Sequence, residues 1–183
     1  HRTDAVGHAV GGRARDRVGE TERQIGTMCH ETTPVTEPSA QPAIRMAKLQ
    51  DVPALKTCID RAYAPVKSTL PDLPDVSSGL EEDIEQNQVF VAETDGRIVG
   101  CAILGLHGQS AHLMNIAVDP DIRGMGIGRL LMEAIEDLAS ESGATEIHLA
   151  THVAMPENVA LYAHLGWSEM ERISNKILMK KDL

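Results

Sequence analysis

The chain has 183 residues, enough for one domain with or without a tail, and 42% of them are hydrophobic, as in a protein with a buried core. One Phe, one Trp and two Tyr mean that this core rests on Ile, Leu, Val, Met and Ala. A formal net charge of −10 without any basic run speaks against nucleic-acid binding, which needs cations against phosphates and, for single strands, aromatic platforms.

An acidic surface attracts cations weakly, which hints at a cationic small-molecule partner, although solubility explains the same charge. Cys29, Cys58 and Cys101 are odd in number and lack metal or redox spacing, so a reducing compartment is the default. No stretch approaches the ~20 apolar residues of a membrane span, and the N-terminus has no signal-peptide h-region. The expectation is a soluble, cytoplasmic protein with no membrane partner.

Residues 1–41 are rich in Gly, Arg, Thr, Glu and Pro and show no apolar period. They read as a disordered tail or an upstream extension, with Met28 a candidate start. The single domain is expected over 42–183. Residues 43–47 are a short strand candidate. Asp51 is placed to cap a helix with Pro53 in its first turn, carrying Val52, Leu55, Ile59, Ala62 and Tyr63 on one face. Residues 64–79 hold three prolines and read as a loop, followed by a short helix over 80–86.

Two apolar runs, 89–93 and 97–104, flank Thr94-Asp95-Gly96, a strong signal for an antiparallel hairpin. Residues 112–118 form another strand, and a glycine loop leads into a helix with Ile127, Leu130, Leu131, Ala134, Ile135 and Leu138 on one face. Gly143 ends that helix. A strand over 146–151, a helix from Pro156 to Gly166 and a strand over 176–180 complete a mixed α/β sheet in one domain.

The loop Val118-Asp119-Pro120-Asp121-Ile122-Arg123-Gly124-Met125-Gly126-Ile127-Gly128 carries the clearest chemistry. Glycines let a backbone approach a ligand, and the following helix offers unpaired N–H groups to a pyrophosphate. The loop lacks the Gly-Lys-Ser/Thr of a Walker A motif, and its G-x-G-x-G spacing is not the dinucleotide fingerprint. A tight turn packing helix on sheet is the plain structural alternative.

Arg123-x-x-Gly126-x-Gly128, preceded by Ala117-Val118-Asp119-Pro120, resembles the signature of the GCN5-related N-acetyltransferase (GNAT) superfamily. A second segment, Pro156 to Trp167, resembles the family's next motif, with Tyr162 four residues after Asn158. The resemblance covers about residues 43–183 and implies a GNAT-like acyl-CoA N-acyltransferase fold. It also implies acetyl-CoA as cosubstrate, no metal, a small-molecule or peptide amine as acceptor, and a homodimer as one arrangement common among similar proteins.

By the same resemblance, amides from Arg123, Gly124, Met125, Gly126, Ile127 and Gly128 hold the pyrophosphate. The strand 115–118 diverges from the strand 146–151, and the pantetheine arm lies along Ile116, Ala117 and Val118. Backbone N–H groups near Ala117 and Val118 polarise the thioester carbonyl. Asn158 and Tyr162 share one helix face, with Leu161 and Leu165 on the neighbouring core face. Asn158 then belongs to the cofactor site and Tyr162 is the general acid, its phenol lying ~1.5 pKa units from a thiol at reference values.

Many relatives place a glutamate in the strand before the glycine loop, and Met114 stands where it is expected. His112 shares a face with Met114 and is the candidate base, with His148 and His152 on the neighbouring strand. His148 and His152 would lie about 13 Å apart on one face, too far for a shared metal. Tyr63 and residues 64–79 are the candidate acceptor lining, with 168–175 opposite. A non-catalytic acyl-CoA-binding module is the alternative function, and O-acylation or a longer acyl donor is a third.

Overall fold

Pattern and punctuation translate into structure in chain order. The computed structural model describes residues 41–71 and 73–183, so the tail expected over 1–41 lies, apart from Gln41, outside the described residues. The strands are β1 (Ala43–Met46), β2 (Gln88–Thr94), β3 (Arg97–His107), β4 (Ser110–Val118), β5 (Glu146–His152), β6 (Ser168–Ile173) and β7 (Lys176–Asp182). The helices are α1 (Val52–Lys67), α2 (Leu80–Gln86), α3 (Ile127–Glu141) and α4 (Pro156–His164). The seven strands form one sheet in the order β1-β2-β3-β4-β5-β7-β6.

Only β4 and β5 pair in parallel among these neighbours, and the crossover that such a pair requires is made by α3. The β2–β3 hairpin turns through Asp95 and Gly96, both with positive φ (52° and 73°), the conformation that the Asp-Gly pair favours. Each face of the sheet has its own core. Leu55, Ile59 and Tyr63 of α1 pack on Val91, Cys101 and Ile103. On the other face, Ile127, Leu131 and Ile135 of α3 pack with Leu104, Leu113, Ile147 and Tyr162.

Three elements differ from the sequence expectation. Helix α1 runs through Pro65 to Lys67 instead of ending before Ala64; a proline in the last turn costs one hydrogen bond, and Thr69 and Leu70 N–H still bond to Val66 O. Asp51 caps the preceding 3₁₀ turn rather than α1, its carboxylate accepting from Lys48 N–H at 2.8 Å and from Arg45 Nη1 at 2.8 Å. The segment 168–175 contains strand β6, whose residues are all exposed; an edge strand without a buried face shows no alternation to read.

Gly100 sets how closely α3 lies on the sheet. A Cβ there would come within 3.0 Å of Ile127 Cγ2, 3.1 Å of Leu131 Cδ1 and 3.2 Å of Ala117 O. Gly100→Ala is expected to destabilise the fold by about 1–3 kcal/mol, as overpacked sites do. Urea denaturation checks this, and an unchanged midpoint would show that α3 can shift freely.

Candidate active site

The site begins with an irregularity in β4. Leu104 pairs with Leu113 but Ile103 pairs with Asn115, so Met114 is the extra residue of a β-bulge. Pairing between β4 and β5 covers Ser110–Leu113 against Glu146–Leu149 and then stops. Beyond that rung, residues 115–118 remain bonded to β3 but no longer to β5, which continues to pair with β7 as far as His152. A wedge-shaped gap opens inside the sheet, its apex at Met114 and its mouth at the glycine loop.

Alternation decides which backbone groups face that gap. Asp119 N–H donates to Val99 O, so Ala117 and Asn115, two and four residues earlier, also turn their backbone groups to β3. Ile116 and Val118 turn theirs to the gap. The amide of Ala117, expected from the resemblance to face a thioester, is therefore occupied by sheet pairing. Thr151 Oγ1 and His152 Nε2, on the gap-flanking end of β5, are buried atoms without a hydrogen-bond partner. His152 Nδ1 accepts from Ala154 N–H at 3.1 Å, which leaves Nε2 as the donor of the neutral ring.

At the mouth, Gly124 (φ 84°) and Gly126 (φ 77°) take the left-handed backbone, and a Cβ on either would meet no atom within 4 Å. Gly126 is the N-cap of α3 and makes no side-chain cap bond. The first amides of α3, unpaired within the helix and at the positive end of its dipole, make a ready anion site. Met125 is exposed, whereas Ile127 is buried in the α3 core and offers only its N–H. A Cβ on Gly128 would lie 3.7 Å from Val118 Cγ2. Arg123 folds beneath the loop, its Nη2 donating to Ala62 O at 3.4 Å.

Helix α4 reverses the expected assignment of faces. Asn158 and Tyr162 are its buried residues, while Leu161 and Leu165 are half-buried. Tyr162 is 0% exposed, with its ring centroid 5.9 Å from that of Trp167. Asn158 Nδ2 contacts Met155 Sδ at 3.8 Å. Tyr63 is likewise buried, and its hydroxyl donates to Asn115 Oδ1 at 2.7 Å, pinning α1 to the first residue after the bulge. It does not line an open surface.

A groove of about 310 Å³ reaches the apex from the face opposite α3. Leu113, Met114, Leu149 and Ala150 form its floor, and Met170 and Leu178 close one side. His107, His112 and His148 stand along it, the His112 ring stacked on His148 at 5.3 Å and edge-on to His107 at 5.5 Å. His148 Nε2 lies 2.9 Å from Glu146 Oε1, and Lys180 Nζ lies 3.4 Å from Glu146 Oε2. Those contacts hold the Glu146 carboxyl below its ordinary range, His148 first. Residues 64–79 do not line this groove, but Met170 of the segment 168–175 does. No group of three or more His, Cys, Asp or Glu side chains among the described residues is arranged to hold a metal, and none of the described helices is long and apolar enough to cross a membrane.

Residues 58–167 match the acetyltransferase (GNAT) family. An uncharacterized N-acetyltransferase of Chlorobaculum tepidum is 30% identical over 137 residues, 74% of this chain and 81% of that protein. The ribosomal protein bS18-alanine N-acetyltransferase of Escherichia coli is 34% identical over 80 residues, 44% of this chain and 54% of that protein, so the match spans about half of its length. Among solved structures, the PaiA N-acetyltransferase of Thermoplasma acidophilum in complex with coenzyme A has a TM-score of 0.70 at 17% identity, covering 79% of this chain and 100% of that one. That likeness shows the fold.

Proposed function

This chain belongs to the acetyltransferase (GNAT) family, and we propose that it transfers an acetyl group from acetyl-CoA to a primary amine by direct attack in a ternary complex. The observation that carries this reading is the gap between β4 and β5, which opens at the Met114 bulge and ends at the glycine loop. A pantetheine arm inserted there completes the interrupted sheet as an added strand. The backbone groups of Ile116 and Val118, which pairing with β3 leaves unengaged, are the partners such an arm requires. The amides of Arg123, Gly124, Met125, Gly126, Ile127 and Gly128 would then receive the pyrophosphate, and Asn158 belongs to the same wall.

The arm's length sets where its reacting end would lie. The arm is about as long as four extended residues, so a pyrophosphate at the loop would bring the thioester to the stretch of β4 at Asn115 and Ile116. The amide of Ile116 is the donor aimed at the carbonyl oxygen, in place of Ala117. The groove delivers the amine to that point. Its nitrogen attacks the carbonyl carbon, the C–S bond breaks, and the departing sulfur takes a proton from Tyr162. The amine's own proton leaves to His112 through water.

A covalent route through cysteine has no support among the described cysteines. Burial pushes Cys58 up to about 11 and Cys101 well above its ordinary value, so both remain thiols near neutral pH. Direct transfer is the simpler course.

His112 as base gives a signed prediction. The ring must be neutral to accept a proton, so activity should fall on the acid side of the profile. His112→Ala is expected to lower kcat/KM about a hundredfold and to remove that acidic limb. A pH–rate profile checks it, and an unaltered limb would assign the base elsewhere. The non-catalytic alternative predicts acetyl-CoA binding without release of CoA thiol on addition of any amine.

A further inference from the structure

One turn of α1 touches both halves of the donor site. Arg61 Nη2 donates to Asp121 Oδ2 at 2.5 Å and lies 3.3 Å from Asp119 Oδ1. The neighbouring carbonyl, Ala62 O, accepts from Arg123. Tyr63, next along, holds Asn115 of the split strand. Three successive residues thus bind the start of the glycine loop, its arginine and the open edge of β4.

Asp119 is the centre of this arrangement. It is 1% exposed, and its carboxylate also accepts from Arg97 Nη2 of β3 at 2.5 Å and from the Asp121 N–H at 3.0 Å. A buried carboxylate is tolerated only when surrounded by donors in this way. Here the donors come from α1, from β3 and from the loop itself, so the carboxylate locates the loop against two rigid elements. The need is physical: Gly124 and Gly126 have no side chains to pack, and a Cβ on either would meet nothing, so the loop's tip has no packing of its own. Arg61 is 42% exposed and contributes little to stability as a surface ion pair. Its value lies in where it holds the loop.

We infer that Arg61 and Asp119 are positioning residues that set residues 120–128 at the spacing their amides need to receive the donor's pyrophosphate. The inference rests on the acetyl-CoA reading above. Arg61 and Asp119 lie outside residues 120–128, and through Arg61 the helix α1 becomes part of the donor site.

The test compares two donors, acetyl-CoA and acetyl-pantetheine, which carries the same thioester and no pyrophosphate. Arg61→Gln leaves Asp119 with Arg97 and the Asp121 N–H, so the buried carboxylate keeps partners; a thermal melt verifies the fold. The variant is expected to raise the KM for acetyl-CoA about tenfold at unchanged kcat, since small misplacements of binding groups are costly. Its constants with acetyl-pantetheine should match those of the wild type, and Arg61→Lys should recover part of the acetyl-CoA affinity. Equal loss with both donors, or no loss with either, would overturn the inference alone. A wild type that uses the two donors equally well would overturn the pyrophosphate reading, and the inference with it.

Discussion

Tyr162→Phe is expected to lower kcat by about a hundredfold or more while leaving acetyl-CoA affinity within about a factor of two, the range general-acid catalysis covers. The substitution removes one oxygen from a side chain that is 0% exposed and packed on Trp167, so the α3–α4 core keeps its shape. Packing alone would survive the change. The proton supplied to the departing sulfur would not, because burial shields this position from bulk water. Steady-state kinetics with acetyl-CoA and a reactive amine, beside a calorimetric titration of CoA, separates the two effects. A kcat within a few-fold of wild type would reduce Tyr162 to a core residue.

Gly126→Glu should abolish acetyl-CoA binding, with an affinity loss beyond about a hundredfold. Two causes act together. Gly126 caps α3 with φ 77°, where any residue with a Cβ is strained by roughly 1–2 kcal/mol. The added carboxylate then occupies the open space before the helix N-terminus and repels the pyrophosphate. A Cβ at this position meets no protein atom within 4 Å, so the fold should persist, as circular dichroism would verify. Retained micromolar affinity would place the phosphates elsewhere.

The elements with strong local signals were legible in the sequence. Asp95-Gly96 forced the β2–β3 hairpin, the apolar period of α3 marked its core face, and the loop glycines announced a backbone without side chains. What makes the loop useful was not local. The bulge at Met114 appears only when β4 is laid against β3, because it is a mismatch between two registers and not a residue preference. Arg61 and Asp119 meet across 58 positions, and Tyr63 and Asn115 across 52, so no window of sequence holds either pair. Strand β6 escaped for another reason: with every residue exposed, it carries no pattern.

The site residues divide in the same way. Gly124, Gly126 and the start of α3 were found by motif, and the groove that brings His107, His112 and His148 together was found by topology. His107 had no signal in sequence, since its strand extends beyond the apolar run that revealed it. Tyr63 was expected either in the core face of α1 or at an acceptor surface; it lies in the core and spends its hydroxyl on Asn115, because one helix face serves both the core and the split strand.

The most direct measurement is hydrogen exchange of the backbone amides with and without acetyl-CoA. Slowed exchange is expected at Ile116 and Val118 and through Arg123–Gly128 when acetyl-CoA is present, with Ala117 already protected in its absence by β3. Acetyl-CoA binding without new protection along 116–118 would contradict the inserted-strand account, and no binding at all would remove its premise.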